Sequence, residues 1–361
     1  MKGGAGHECG QRDECEPRLP GMQQLSVQRK NRSGRYTVRR GTKFVVGLII
    51  VVMLTSLLLF SGQRGTSTGA VIDPWGNREV LNYLFWTAYD VKLSADIIKL
   101  QKDLGLSDAA MAELKQYGME EGQRLMGIEL VPDTGETAAT AGAANARWAA
   151  VFATIDEETK ETLGTEYPAF RTWIQTWWQE ETIYRQNWIK EQEDAANKTD
   201  AAIDRELVYA TQYTGYTSFE VALPDRYVKF ANLGDGWTGN IPSSLRPYYA
   251  NPPYTVNVYN EATNQTVLSV VVREAGPWNV DDNYWDAASG SPSRRLFTNL
   301  ALGMPEAQAA YYNGYNGGKD QGGSRTVLNP AGIDLTLSVA SQLGLGSQQN
   351  AWVWVRYSAL P

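Results

Sequence analysis

Two carboxylates stand out for their surroundings. Glu274 lies in Val271-Val272-Arg273-Glu274-Ala275-Gly276-Pro277-Trp278, and Asp334 in Gly332-Ile333-Asp334-Leu335-Thr336. Each belongs to an apolar, strand-forming run, and Gly276-Pro277 is a turn signal that ends the first of them. Glu274 is thereby expected at a strand end, where a side chain can project into a groove rather than a core. Carboxyl groups in that position can give and take protons. Both residues also admit structural readings, Asp334 as the cap of a helix over Thr336–Leu345 and Glu274 as an ion-pair partner of Arg273.

The elements around them follow from hydrophobic periodicity. Tyr254–Asn260 and Thr266–Val272 alternate with period two about a polar turn at Glu261–Gln265, which predicts a hairpin leading into Glu274. Ser338–Leu345 reads as a helix and Ala351–Tyr357 as a last strand, while Tyr209–Tyr213 and Arg226–Leu233 open the region.

This order of motifs resembles the double-psi β-barrel of rare lipoprotein A-like and expansin-like proteins, over roughly Val208 to Tyr357. The resemblance implies a six-stranded double-psi β-barrel across residues 207–361 that binds or loosens cell-wall polysaccharide, peptidoglycan. It also implies an alternative, since the rare lipoprotein A-like branch includes lytic transglycosylases. In that case Glu274 matches the family's general acid/base and Asp334 its electrostatic partner, and Trp278, Tyr284, Trp285, Tyr312 and Tyr315 are the rings expected to contact sugar. A protein-binding, inhibitor-like barrel is the second alternative. Three departures stand against the family pattern: Arg273-Glu274-Ala275 replaces its Asn-Asp-Arg, no histidine follows His7, and a long connection separates Trp278 from Asp334. That connection carries Asp281, Asp282 and Asp286, oxygen ligands of the kind Ca²⁺ takes, at a spacing that matches no known loop. No cofactor is expected.

Upstream, Phe44–Phe60 is an uncharged apolar run that would reach about 25 Å as a helix, slightly short for a bilayer. Seven Lys and Arg residues between Arg29 and Lys43 precede it, the flank that stays cytoplasmic. The reading is a single-pass, uncleaved anchor at 44–60 after a cytoplasmic tail at 1–43, with everything later extracytoplasmic. A cleaved signal peptide ending at Thr68-Gly69-Ala70 is the competing reading. Residues 1–43 hold 10 basic and 4 acidic side chains, which leaves 23 basic and 36 acidic ones and a charge of −13 beyond them. Such a surface repels nucleic acid, so that class of partner is excluded. Cys9 and Cys15 both precede the apolar run, so the later residues hold no disulfide. With His7 they form a small cluster that lacks a fourth His or Cys ligand for a metal.

Residues 61–206 read as a helical extracytoplasmic domain that spaces the barrel from the bilayer. Apolar residues recur at helical spacing from Leu81 to Leu125, with a break and a new cap at Leu104-Gly105-Leu106-Ser107. Val131 through Ala144 reads as a linker, Thr154-Ile155-Asp156-Glu157 as a capping box, and Pro168 as a first-turn proline. Phe170, Trp173, Ile174, Trp177, Tyr184 and Trp188 fall on one helical face, either as a sugar-binding strip or as a packing seam.

Overall fold

The computed structural model describes residues 73–126, 138–199, 205–215, 217–225, 228, 254–279, 282–286, 295–320 and 325–357. The Phe44–Phe60 run, the His7, Cys9 and Cys15 cluster, and Asp281 lie outside the described residues. Among the described residues, no helix is long and apolar enough to cross a membrane. All of them belong to one compact unit, Ala70–Pro361.

Five helices come first: α1 (Val80–Trp86), α2 (Val91–Leu104), α3 (Asp108–Met126), α4 (Ala138–Leu163) and α5 (Tyr167–Thr199). The break between α2 and α3 falls where the sequence places it. Gly105 ends α2 in the left-handed region at φ 64°, and the Ser107 hydroxyl accepts from the Ala110 amide at 3.1 Å. Pro168 likewise lies in the first turn of α5. The expected capping box is not a helix start: Thr154 lies inside α4, where its hydroxyl donates to the Ala150 carbonyl. The Ala-rich end of the expected linker, from Ala138, is already helical, as alanine's high helix propensity favours.

Helix α1 is short, and Val80 through Leu84 are all buried. It lies against α3 because two glycines there let the backbones meet; a Cβ at Gly118 would stand 2.7 Å from the Leu81 carbonyl oxygen. The α3 carboxylate of Glu121 accepts from the Asn82 amide at 2.8 Å, which satisfies one of the free donors at the start of α1.

Six strands follow: β1 (Arg205–Tyr213), β2 (Glu220–Leu223), β3 (Thr255–Asn260), β4 (Gln265–Ala275), β5 (Ala331–Thr336) and β6 (Ala351–Tyr357). They close a barrel in the order β1-β5-β2-β4-β3-β6. The β1/β5 and β2/β4 pairs are parallel and the other four antiparallel. The expected β3–β4 hairpin is present, turning through Glu261–Asn264 with Asn264 at φ 54°. Val208, Val221, Val256, Val258, Val270, Val272, Val353 and Val355 fill the interior with Ile333 and Leu335, as β-branched side chains suit strands whose inner face is packed. Two short helices complete the fold, α6 (Glu306–Asn313) between β4 and β5 and α7 (Leu337–Gln342) between β5 and β6.

The helices do not stand apart from the barrel as a spacer. Alternation along β1 turns Tyr209 away from the barrel interior and into a core shared with α1 and α5. Its ring lies 5.7 Å from Tyr83 and 5.4 Å from Trp352, and its hydroxyl lies 2.7 Å from Thr87 Oγ1. Phe170, Ile174 and Trp177 of the α5 stripe are buried in the same core, which makes that part of the stripe a packing seam. The seam is pinned by charge. Arg185, 1% exposed, meets Asp90 and Glu181 at 2.7 Å each, and Lys92 also reaches Glu181 at 2.7 Å. Removing the guanidinium leaves two carboxylates with a single cation. Arg185→Ala is therefore expected to lower unfolding free energy by about 3–5 kcal/mol in urea titration; an unchanged midpoint would contradict this.

Candidate functional site

The strand register aligns the two expected acids on one rung. On β5, Asp334 pairs with Thr211 of β1 on one side and Ala222 of β2 on the other; Ala222 pairs in turn with Glu274 of β4. A register shift precedes the rung in both parallel pairs, between Tyr209 and Ala210 and between Val221 and Ala222. Bulges of this kind re-aim side chains next to functional sites. Two strand spacings separate the Cα atoms of Asp334 and Glu274, about 10 Å.

The surroundings of the two acids differ. The Thr211 hydroxyl donates to Asp334 Oδ1. Burial pushes the Asp334 carboxyl up to about 6; the threonine bond opposes that shift and the charge of Glu274 adds to it. Glu274 is half-buried, and its Oε1 accepts from the Ala275 amide at 3.0 Å. Arg273 reaches the buried Glu220 carboxylate at 3.9 Å. Asp334 does not occupy the helix-cap position, which falls to Thr336.

Asp334 opens onto a cavity of about 330 Å³ between the barrel and the helices. Glu79, Asn82 and Trp148 line its helical side, and Thr211, Gln212 and Trp278 line it with Asp334 from the barrel side. Glu79 is 7% exposed, and Asn329 Nδ2 donates to its Oε1 at 3.0 Å. Burial pushes its carboxyl up to about 7, against the Asn329 bond and with help from the charge of Asp334. Two lining groups that are nine-tenths buried have no hydrogen-bond partner: Trp148 Nε1, a donor on a side chain 2% exposed, and Gln212 Oε1, an acceptor on one 3% exposed. The Gln212 amide nitrogen is engaged, donating to the Gly346 and Gln349 carbonyls.

The expected sugar platform is not formed, because the rings pack on one another. Trp278 lines the cavity, but it is buried edge-on against Trp148 at 6.0 Å, and its Nε1 donates to Asn329 Oδ1 at 2.8 Å. Tyr284 is fully buried with its hydroxyl donating to the Gly332 carbonyl, and Trp285 stacks on Tyr357 at 4.5 Å. Tyr312 belongs to the helical core, its hydroxyl 2.9 Å from that of Tyr83. Tyr315 alone of the five keeps a half-exposed ring, set against Phe297 away from the cavity lining. Of the acids of the long connection, Asp282 and Asp286 lie among the described residues. Asp282 accepts from the Leu296 and Phe297 amides, and among the described residues no group of three His, Cys, Asp or Glu could hold a metal ion.

A family model described as a domain of unknown function (DUF8814) matches residues 177–356. No curated protein and no solved structure matches the chain. The matched segment contains all six strands with Asp334 and Glu274, whereas Glu79, Asn82 and Trp148 lie before it.

Glu79 is the member of the site that sequence reasoning missed, since a lone acid ahead of a short helix carries no signal. Its raised carboxyl has a consequence for stability. Its folded value of about 7 lies above the ordinary 4.5, so its contribution is fully present below pH ~4.5 and is lost as pH rises through about 7. Glu79→Gln is expected to shrink the fall in melting temperature between roughly pH 5 and pH 8. A melting curve that falls as steeply as the wild type's would contradict this.

Proposed function

We propose that the protein binds cell-wall polysaccharide, peptidoglycan, in the cavity beside Asp334, and that Phe44–Phe60 anchors it in the membrane with Ala70–Pro361 on the outer side. The observation that carries this reading is the cavity itself, whose two walls bring the Glu79 and Asp334 carboxyls, the Thr211 hydroxyl and the Asn82 and Asn329 amides to one space. A ligand rich in hydroxyls and amides supplies hydrogen-bond partners to carboxyl, hydroxyl and amide groups, as sugar polymers do. The volume lies at the small end of the range for ligand sites, about 300–1,000 Å³. The two parallel strand pairs, with a crossover inside each, support the double-psi arrangement implied by the sequence motifs.

A second reading, cleavage of the glycan in the manner of a lytic transglycosylase, is favoured by the state of Asp334. A carboxyl lifted to about 6 can exchange protons near neutral pH, as acid/base work requires.

The binding reading is tested by retention of the full chain on purified sacculi. Met126 lines the cavity yet is half exposed, so Met126→Trp adds a ring where the cavity meets solvent without removing a hydrogen bond. It is expected to weaken retention about 3- to 10-fold by crowding the ligand, roughly 1 kcal/mol. Retention equal to wild type would remove the cavity from the binding surface.

A further inference from the structure

Among the described residues, the cavity is lined by two carboxyl groups, Glu79 and Asp334, and by no cation, while Glu274 is not among its lining residues. From this we infer that Glu79, not Glu274, is the proton donor of the site and works with Asp334 across the seam between helices and barrel. The inference rests on the reading that wall polysaccharide enters this cavity, and it extends that reading from binding to cleavage.

Three features of Glu79 support the assignment. It holds the N-cap position of α1, yet its side chain makes no capping bond there; Glu121 of α3 satisfies the Asn82 amide instead. The structural task open to an acid at that position is therefore performed by another residue. Second, its orientation is fixed. Asn329 Oδ1 accepts from Trp278 Nε1 and from the Ala331 amide, so its Nδ2 must be the atom that donates to Glu79 Oε1. In a neutral carboxyl the accepting oxygen is the carbonyl one, which leaves the proton on Oε2. Third, burial lifts both carboxyls, Glu79 to about 7 and Asp334 to about 6, so both can exchange protons near neutral pH.

The Glu79 Oε2–H bond breaks and its proton passes to the glycosidic oxygen. The C1–O bond breaks with it, and its electron pair leaves on that oxygen. A hydroxyl of the same sugar, or water, forms the new bond to C1 and gives its proton to the Asp334 carboxylate. Nothing is oxidised or reduced, and proton exchange with solvent returns Glu79 and Asp334 to their starting states.

The test uses the full chain in mild detergent on purified sacculi, with retention and the rate of release of soluble fragments measured in parallel for wild type, Glu79→Gln, Glu79→Asp, Asp334→Asn and Glu274→Gln. Gln at position 79 can still accept from Asn329, and melting curves identify any variant that does not fold. The expected result is a loss of release of at least about 100-fold in Glu79→Gln with retention kept, the scale of general acid catalysis. Glu79→Asp, which keeps a carboxyl, is expected to fall between it and wild type. Glu274→Gln is expected to lose less than about tenfold, since Glu274 acts through its charge on Asp334. Release by Glu79→Gln at the wild-type rate, or its abolition by Glu274→Gln alone, overturns the assignment. Wild-type retention without any release overturns it too while leaving the binding reading intact, and the absence of both overturns both.

Discussion

Helix α1 is the element on which the rest of the molecule depends. Tyr83, at its centre, is ringed by Trp177 and Trp178 of α5, Tyr209 of β1, and Tyr311 and Tyr312 of α6. Its hydroxyl donates to Glu181 at 2.7 Å, and Glu181 is held by Arg185 and Lys92. One tyrosine thus joins the helical layer, the barrel wall and a balanced set of buried charges. A buried carboxylate such as Glu181 is tolerable only while its cations stay in place, so the helices cannot drift from the barrel without exposing both the aromatic cluster and unpaired charge.

That constraint determines what kind of site the chain can have. Were the barrel free-standing, Asp334 would lie on an open outer face. With α1, α3 and α4 held against it, the carboxyl faces a cavity with Glu79 and Trp148 on the opposite wall, and loss of water raises both acids. The shifts originate in burial first and in mutual charge second. Their origin lies in the joint between layers, not in the strand motif alone.

The barrel was legible in the sequence where periodicity is local. The β3–β4 hairpin, the strand end at Gly276-Pro277, and the return of an acid on Ile333-Asp334-Leu335 follow from alternation and turn chemistry, and the register brings Glu274 and Asp334 to one rung. Helix ends marked by Gly105, Ser107 and Pro168 were legible for the same reason. The aromatics were not: Trp278, Tyr284 and Trp285 follow a turn in a polar connection, which has the composition of an exposed loop, yet each finds a ring to pack against. Thr154 shows the limit of a four-residue cap signature inside a longer helix. Glu79 and Trp148 could not be found by any spacing rule, because the packing of α1 and α4 on β1 and β5 is what brings them to Asp334.

The measurement that reaches the centre of this account is a crystal structure of the protein with a soluble peptidoglycan disaccharide. A sugar ring is expected in the seam cavity, with the Glu79 carboxyl facing the glycosidic oxygen and the Asp334 carboxyl within hydrogen-bond distance of a ring hydroxyl. A disaccharide seated anywhere else on the molecule, with the seam cavity holding only water at saturating ligand, would contradict it.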